Sequence, residues 1–585
     1  MIEIVGLFIL SWLAYAGAVN NGFIIDDIEG IMSYDGHLIA WRFDAVMKWL
    51  WHRLFQKEPR KHHFFSILIQ SANVVLLYLF LSTLFTKDLA LFTSILFAIH
   101  PINTQSVAWV SGRGYPTGLF YTLLGLNLLK MYLPSTLTIP LFGLLEPHTA
   151  IIIALAILGY LIIHWFAVES QFTAMFTSVI LAYLGYLPLA MVTAVLSGVL
   201  GVGIIKQTIG DRTETFKKQN MGRSTMLHPR KFIVVCKTLY YYTKLCLFPK
   251  RLGLYHKFCY HYSDDTEKED KHFWAGFAIL IGFGMLFWFG NSAVKLGVVW
   301  YLSYICIFLN WITIHQFVAE RYTYFANIGL CLIVCNFLLP YPIVFAVLCG
   351  LAIMRLWTNL PSFLEEVPFY QSNIWNFPRS EVAFANLGVV YMKRGLVGSA
   401  VDMWLIGTKI NASYDVAWYN LSSTMKTKGD LPKALEFLQN AVKSPTCHFK
   451  ELWGKELIIL EKEVVFNKEL QELVRDMGVL SRDPSKVEEV EKIRVKVEKM
   501  NNLVKILEEE KKKKLYFVQQ QQSSLEIQTV KLQQMSSSLS TAMPQEELIK
   551  MRDSQWFSIK QDALGLLQKR ENTEWKEVKS EDTQS

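Results

Sequence analysis

Two adjacent carboxylates, Asp26 and Asp27, follow the first apolar stretch of the chain. Ionisable side chains at the edge of a membrane-spanning helix are costly to bury and usually serve a function. A carboxylate at this position could act as a general base, because it can take the proton from an acceptor hydroxyl as a new bond forms. Aspartate is also a good N-cap, so capping of a short interfacial helix is an equally weighted interpretation of the pair.

A second polar segment, residues 100–113, separates two apolar runs and contains His100, Gln105 and Arg113. Non-helical backbone at membrane depth occurs where it is buried in protein or lines a cavity. The planar guanidinium of Arg113 could bind a phosphate through several donors, or it could extend to a lipid headgroup. We therefore expect a polar break between two spans at this segment.

Glu320 and Arg321 form a third polar site, which follows His315 and lies between two apolar runs. Adjacent residues on a helix point about 100° apart, so these two side chains need not pair with each other. Each could find a partner elsewhere in a shared site. The alternative is an ordinary charge pair in an aqueous loop.

Metal binding is a weaker interpretation of this sequence. One loop contains several potential ligands, His256, His261, Asp264, Asp265 and His272. Their spacing matches no established ligand template, so we expect a solvated loop and no metal site. The eight cysteines show no paired CxxC spacing and indicate neither a disulfide framework nor zinc.

The elements that must position these residues are membrane spans, because 52% of the 585 residues are hydrophobic. A transmembrane helix needs about 20 apolar residues. The net charge of +8 is modest, and no basic cluster interleaved with aromatic residues suggests nucleic acid. Residues 1–360 therefore predict a membrane domain. The candidate spans are 2–19, 64–86, 88–100, 116–133, 149–166, 171–187, 189–206, 273–290, 293–311, 322–339 and 341–358.

Counting of spans decides on which side the polar segments lie. Segment 232–248 mixes lysines with tyrosines, as expected for a helix in the membrane interface. If it does not cross and the N-terminus is cytoplasmic, eleven spans place all three polar segments on the non-cytoplasmic face. The basic loop 41–63 then also lies outside, contrary to the positive-inside tendency.

A repeat follows the membrane domain, over residues 361–480. Residues 382–388 (VAFANLG) return 34 residues later as 416–422 (VAWYNLS). An aromatic residue, a leucine and a small residue at this period are typical of tetratricopeptide repeats. Residues 481–585 are rich in Lys, Glu and Gln and predict a charged helix that continues into a flexible tail.

With these motifs in view, residues 1–445 resemble the transmembrane and tetratricopeptide-repeat O-mannosyltransferases, a branch of the GT-C glycosyltransferases. The resemblance rests on four segments and on the C-terminal repeats that follow them. The segments are Ile25-Asp26-Asp27, His100-Pro101 leading to Gly112-Arg113, Thr238-Leu239-Tyr240-Tyr241 leading to Pro249, and Ala319-Glu320-Arg321-Tyr322. The implied fold is all-α: a polytopic GT-C-like bundle of about eleven spans, a tetratricopeptide domain and a helical or flexible tail.

The resemblance implies transfer of mannose from a polyprenyl-phosphate donor to Ser or Thr hydroxyls of translocated proteins, with inversion and without a cofactor or metal. It implies that Asp26 is the general base and that Asp27 orients the acceptor. Arg113 and Arg321 would bind the donor phosphate, and Glu320 and His100 would complete the donor site. The membrane would be the endoplasmic reticulum in a eukaryote and the cell membrane in a prokaryote.

The chain departs from the family where Gln105 replaces a glutamate and where Gly114-Tyr115 follow the Gly-Arg pair. A non-catalytic membrane scaffold that recruits a protein partner through its repeats therefore stays an alternative. A transporter is a third hypothesis, because polar breaks also mark transport sites. Those breaks usually lie at the bilayer midplane within inverted repeats, and no internal membrane repeat is evident in this sequence.

Overall fold

The computed structural model describes residues 1–32, 43–132, 147–170, 172–198, 229–254, 256, 271–311, 318–445, 447, 449–482, 492 and 495–516. Within these residues the regular structure is helical and no strand occurs, which confirms the all-α prediction. The chain forms two compact units, with the division between Arg379 and Ser380.

The first unit contains fifteen helices in the described residues, and short 3₁₀ turns follow some of them. These helices are α1 Ile2–Tyr15, α2 Phe43–Phe55, α3 Pro59–Ser82, α4 Lys87–Ile99, α5 Thr104–Ala108, α6 Gly114–Tyr132, α7 Pro147–Ser170, α8 Thr177–Tyr183, α9 Leu187–Gly198, α10 Pro229–Leu247, α11 Lys271–Phe289, α12 Ser292–Ile305, α13 Asn327–Leu338, α14 Pro342–Asn359 and α15 Glu366–Asn376. The 3₁₀ turns that concern the site are Pro101–Asn103, Val110–Arg113 and Glu320–Thr323.

Four stretches of described helix are long and apolar enough to cross a membrane, so the expected number of about eleven is not reached by this measure. They are Ile2–Asn20, Pro59–Ser82, His272–Phe289 and Pro342–Phe363. Five further apolar helices have 10–17 described residues: Ile152–Val168, Ala174–Tyr183, Leu187–Gly198, Ser292–Phe308 and Asn327–Leu338. The run at 88–100 does not qualify because α4 has only 13 residues, fewer than a transmembrane helix needs, and ends at Ile99 before Pro101.

Helix α3 lies at the centre of the first unit and packs against α1, α4 and α6. Its buried face includes several polar residues, of which Gln70 and Asn73 are fully buried. Asn73 Nδ2 donates to the Tyr324 hydroxyl at 3.2 Å, and that hydroxyl donates to Gln70. This connection ties the turn that carries Glu320 and Arg321 to the middle of the bundle.

Helices α12 and α13 approach closely through two glycines. A Cβ atom on Gly297 would lie 2.8 Å from the Gly329 carbonyl oxygen, and one on Gly329 would lie 2.4 Å from the Gly297 carbonyl oxygen. Small residues allow backbones to approach in this way in apolar helix bundles. The contact fixes the helix that leads out of the 320–323 turn.

The second unit consists of helical hairpins. Its described helices are α16 Glu381–Lys393, α17 Val397–Ile410, α18 Asp415–Thr427, α19 Leu431–Lys443, α20 Lys450–Arg482 and α21, residues 495–516. Gly395 and Gly429 have φ values of 90° and 82° at the two hairpin turns, a conformation that glycine adopts without strain. Helices α20 and α21 are joined by lysine–carboxylate pairs, including Lys499–Glu469 at 2.6 Å.

Candidate functional site

The turn at residues 24–27 gives the two adjacent aspartates different environments. Asp27 is fully buried, whereas Asp26 is exposed and makes no hydrogen bond to a described residue. Ile25, the residue directly before Asp26, has a φ of 50°. A β-branched residue in this left-handed region is strained, and such strain concentrates at functional sites. The turn closes on itself, since Ile24 N–H donates to Asp27 Oδ2 at 3.3 Å.

Asp27 joins this turn to the 110–113 turn. Ser111 N–H donates to Asp27 Oδ1 at 2.7 Å, and the Ser111 hydroxyl donates to the same oxygen. Burial raises the pKa of Asp27 to about 6, against the opposing effects of these hydrogen bonds and of the nearby Arg113 charge. The carboxylate is therefore occupied by the protein's own donors. The resemblance implies that Asp27 orients the acceptor, and its direct contacts are with the 110–113 turn.

The polar break at residues 100–113 has a defined backbone path. Pro101 begins a 3₁₀ turn, and Asn103 Nδ2 donates to the Phe97 carbonyl at 2.9 Å, which satisfies an oxygen near the end of α4. Gly112 is required where the path doubles back, because a Cβ atom there would lie 2.7 Å from the Gln105 carbonyl oxygen. The break thus brings Trp109 and Arg113 to the Asp27 turn.

Arg113 is a buried cation. Its Nη1 lies 3.4 Å from His62 Nδ1, and its Cζ lies 5.0 Å from the centre of the Trp51 ring and 6.0 Å from that of Phe65. Burial lowers its pKa to about 10, so it stays positively charged at neutral pH, and Asp27 opposes the shift. No described carboxylate lies within ion-pair distance of it. This guanidinium is therefore placed to receive an anion.

Arg321 lies against the ring of Trp109. Its Cζ is 5.3 Å from the centre of the Trp109 ring and 5.0 Å from that of Tyr322. Its backbone N–H donates to Gln105 Oε1 at 2.9 Å. Its Nη1 is buried and has no hydrogen-bond partner among the described residues. Trp109 Nε1 in turn donates to the Ile24 carbonyl at 3.4 Å, so one indole separates Arg321 from the aspartate turn.

Glu320 points away from its neighbour and toward a different segment. Its Oε1 accepts the Gly253 N–H and lies 3.2 Å from His256 Nε2. Its Oε2 is buried without a hydrogen-bond partner among the described residues. Glu320 and Arg321 thus have separate neighbours, as their adjacent positions in the sequence suggested.

His100 has a local structural role in addition to the donor-site role suggested by the resemblance. Its Nδ1 accepts the Ile102 N–H at 3.3 Å and caps the 3₁₀ turn. The ring also makes a hydrogen bond with the Cys246 backbone. These contacts leave little of the buried imidazole for a ligand. His315 lies outside the described residues.

No group of three or more potential metal ligands occurs in the part of the chain that the structure describes. His261, Asp264 and Asp265 of the proposed loop cluster lie outside that part. His256, from the same loop, contacts Glu320 instead. The expectation of no metal site stays a prediction.

Sequence reasoning missed several residues that hold this site together. Ser111 and His62 contact Asp27 and Arg113, and His256 contacts Glu320. Ser111 stands inside a motif that was already singled out, so its place beside Gly112-Arg113 was an available signal. His62 carried no signal, because it lies 51 positions from Arg113 in the sequence.

The segments that contain Asp26, Arg113 and Arg321 therefore converge. These joined segments carry an exposed carboxylate, Asp26, and two guanidinium groups that form no ion pair with a described carboxylate. Such a site can accept a proton from a hydroxyl and stabilise an anionic leaving group. No protein-family model, curated protein sequence or solved structure matches the chain.

Proposed function

We propose that the chain is a membrane glycosyltransferase that moves a sugar, mannose in the first instance, from polyprenyl phosphate to Ser or Thr hydroxyls of translocated proteins. In this proposal the chain has a GT-C-like membrane domain of the O-mannosyltransferase type and a tetratricopeptide-repeat domain. The site lies on the non-cytoplasmic face of the endoplasmic reticulum membrane or of a prokaryotic cell membrane. The repeats would recruit a protein partner.

One observation supports this function above others: the segment that contacts Asp27 through Ser111 carries Arg113, and its Trp109 contacts a second guanidinium, that of Arg321. Arg113 follows Ser111 by two positions, and Arg321 lies against the ring of Trp109, two positions before it. A lipid-phosphate sugar leaves a phosphate with developing negative charge, and preorganised cations stabilise such a charge. An exposed carboxylate in the same place suits the other half of the reaction, removal of the acceptor proton.

The proposed roles follow from the environment of each residue. Asp26 is the general base, because it is exposed and faces no competing donor among the described residues. Asp27 acts through Ser111 and holds the 110–113 turn in place. Arg113 and Arg321 bind the donor phosphate, and inversion results from attack of the hydroxyl on the face opposite to that phosphate.

The test is a transfer assay with purified full-length protein, radiolabelled polyprenyl-phosphate mannose and a Ser/Thr peptide. We expect labelled peptide from the unaltered protein and none above background from Asp26→Asn. Other lipid-phosphate sugars are assayed in parallel, because the residues do not define the sugar. Absence of transfer from every lipid sugar would overturn the enzymatic function and favour a scaffold.

A further inference from the structure

Hydrogen bonds join three side chains in a line that ends at Glu320, the residue before Arg321. The other two are Tyr241 and His256. The Tyr241 hydroxyl lies 2.8 Å from His256 Nδ1, and His256 Nε2 lies 3.2 Å from Glu320 Oε1. The side chains of His256 and Glu320 are fully buried. A buried carboxylate is stabilised only where donors surround it, and His256 is one of two described donors to this one. The hydrogen bond from His256 therefore helps to hold the Glu320 carboxylate in place.

The segment that leads to His256 is also bound by α15. Leu254 N–H donates to Asn373 Oδ1 at 2.6 Å, and Asn376 Nδ2 donates to the Leu252 carbonyl at 2.8 Å. Both asparagines belong to α15. The segment that leads to His256 is therefore held by α15 in addition to the bond between the Gly253 N–H and Glu320.

We propose that His256 is a positioning residue for the donor phosphate, an inference that rests on the proposed function. His256 holds Glu320, and Gln105 holds the backbone N–H of Arg321, so the two contacts fix the peptide unit between these neighbours. The Arg321 side chain leaves from that fixed unit toward Trp109. Its guanidinium is then aimed at the donor without an ion pair to a neighbouring carboxylate.

The hydrogen-bond directions define what a substitute must provide. His256 Nε2–H donates to the Glu320 carboxylate, and Nδ1 accepts from the Tyr241 hydroxyl. Glutamine carries an amide donor at a similar reach and should retain the contact with Glu320. Phenylalanine fills the space of the imidazole but donates nothing. Comparison of His256→Gln with His256→Phe therefore separates the effect of the hydrogen bond from the effect of packing.

The experiment measures donor and acceptor KM with the full chain and polyprenyl-phosphate mannose. We expect His256→Phe to raise the donor KM about tenfold, because a lost hydrogen bond to a charged group displaces the Arg321 anchor. We expect His256→Gln to have a donor KM close to that of the unaltered protein. The acceptor KM should stay unchanged in both variants. His164→Gln is the matched control, since this buried histidine bonds Ser197 at 2.8 Å, away from the site.

Tyr241→Phe provides a second test that preserves the ring and does not depend on folding of the first variant. It should raise the donor KM two- to fivefold, because His256 loses the partner that sets its tautomer. Unchanged donor KM in both His256→Phe and Tyr241→Phe would overturn the inference while the transferase function stands. A fall in kcat alone, equal in His256→Phe and His256→Gln, would show a merely structural role and also overturn it. No transfer by the unaltered protein would instead remove the proposed function itself.

Discussion

Asp27 and Ser111 are joined through a single oxygen atom. Asp27 Oδ1 accepts both the backbone N–H of Ser111, at 2.7 Å, and its hydroxyl. The two residues are 84 positions apart, so this contact connects the turn after the first span to the break between two later helices. Every proposed role at this site depends on that connection, because it sets where Arg113 lies relative to Asp26.

Asp26→Asn should reduce the rate of transfer by at least about a hundredfold, since a positioned general base contributes roughly 10²–10⁴. The amide keeps the size of the side chain but cannot take a proton. The measurement is kcat for sugar transfer, with folding followed by thermal unfolding in detergent. Asp88→Asn, an exposed aspartate in the first turn of α4, is the control and should keep its activity. Equal activity in the two variants would remove Asp26 from the mechanism.

The stability of the first unit should depend on pH through Asp27. Its pKa is about 6 in the folded chain and 3.8 in the unfolded chain, so the folded state binds the proton more tightly. The contribution to stability is complete below about pH 4 and is lost as pH rises through about 6, at a cost on the order of 3 kcal/mol. Unfolding temperatures measured from pH 5 to pH 7 should therefore fall.

Asp27→Asn should flatten that decline, because the amide does not ionise. Asp26→Asn should leave it in place. Ser111→Ala should move the decline to higher pH, since the Ser111 hydroxyl lowers the pKa of Asp27. A decline of the same size in Asp27→Asn would assign the effect to another group.

Arg113→Lys and Arg321→Lys should each raise the donor KM about tenfold or more. Lysine keeps the charge but lacks the planar fork that binds two phosphate oxygens together, and it stacks less well on Trp51 or Trp109. The acceptor KM should not change. Lys393→Gln, an exposed lysine of the second unit, removes a charge far from these contacts in the sequence and serves as the control. A donor KM unaffected in both arginine variants would contradict phosphate binding at these residues.

Two glycines of the second unit should respond in opposite ways to alanine. A Cβ atom on Gly388 would lie 2.5 Å from Trp404 Nε1, whereas one on Gly454 meets nothing within 4 Å. We expect Gly388→Ala to destabilise the α16–α17 hairpin by about 1–3 kcal/mol. Gly454→Ala should stabilise α20 by roughly 0.5–1 kcal/mol. Hydrogen exchange in peptides from each segment, measured on the full chain, distinguishes the two outcomes. Slower exchange in Gly388→Ala would contradict the packing argument.

The helical character and the convergence of the three polar segments could be predicted from the sequence, because apolar runs and the polar residues between them follow simple physical rules. The number of spans could not. Hydropathy counts apolar residues, whereas a span also requires that enough of them belong to one continuous helix.

The different environments of Asp26 and Asp27 could not be predicted either. The two residues are adjacent and of the same type. Which of them is buried depends on the backbone at Ile25, where no sequence rule anticipates a positive φ. The partner of Glu320 was also beyond prediction. His256 lies 64 positions away, in a segment expected to be a solvated loop.

The backbone at Ile25 stores free energy on the order of 1–3 kcal/mol in a conformation that its branched side chain resists. Contacts with Ser111 and Trp109 hold the turn against that resistance. Release of these contacts would let Ile25 relax to an extended backbone and would swing the Asp26 carboxylate out of line. The direction of the Asp26 carboxylate, the proposed base, is therefore set by contacts of the neighbouring turn rather than by a hydrogen bond of its own to a described residue.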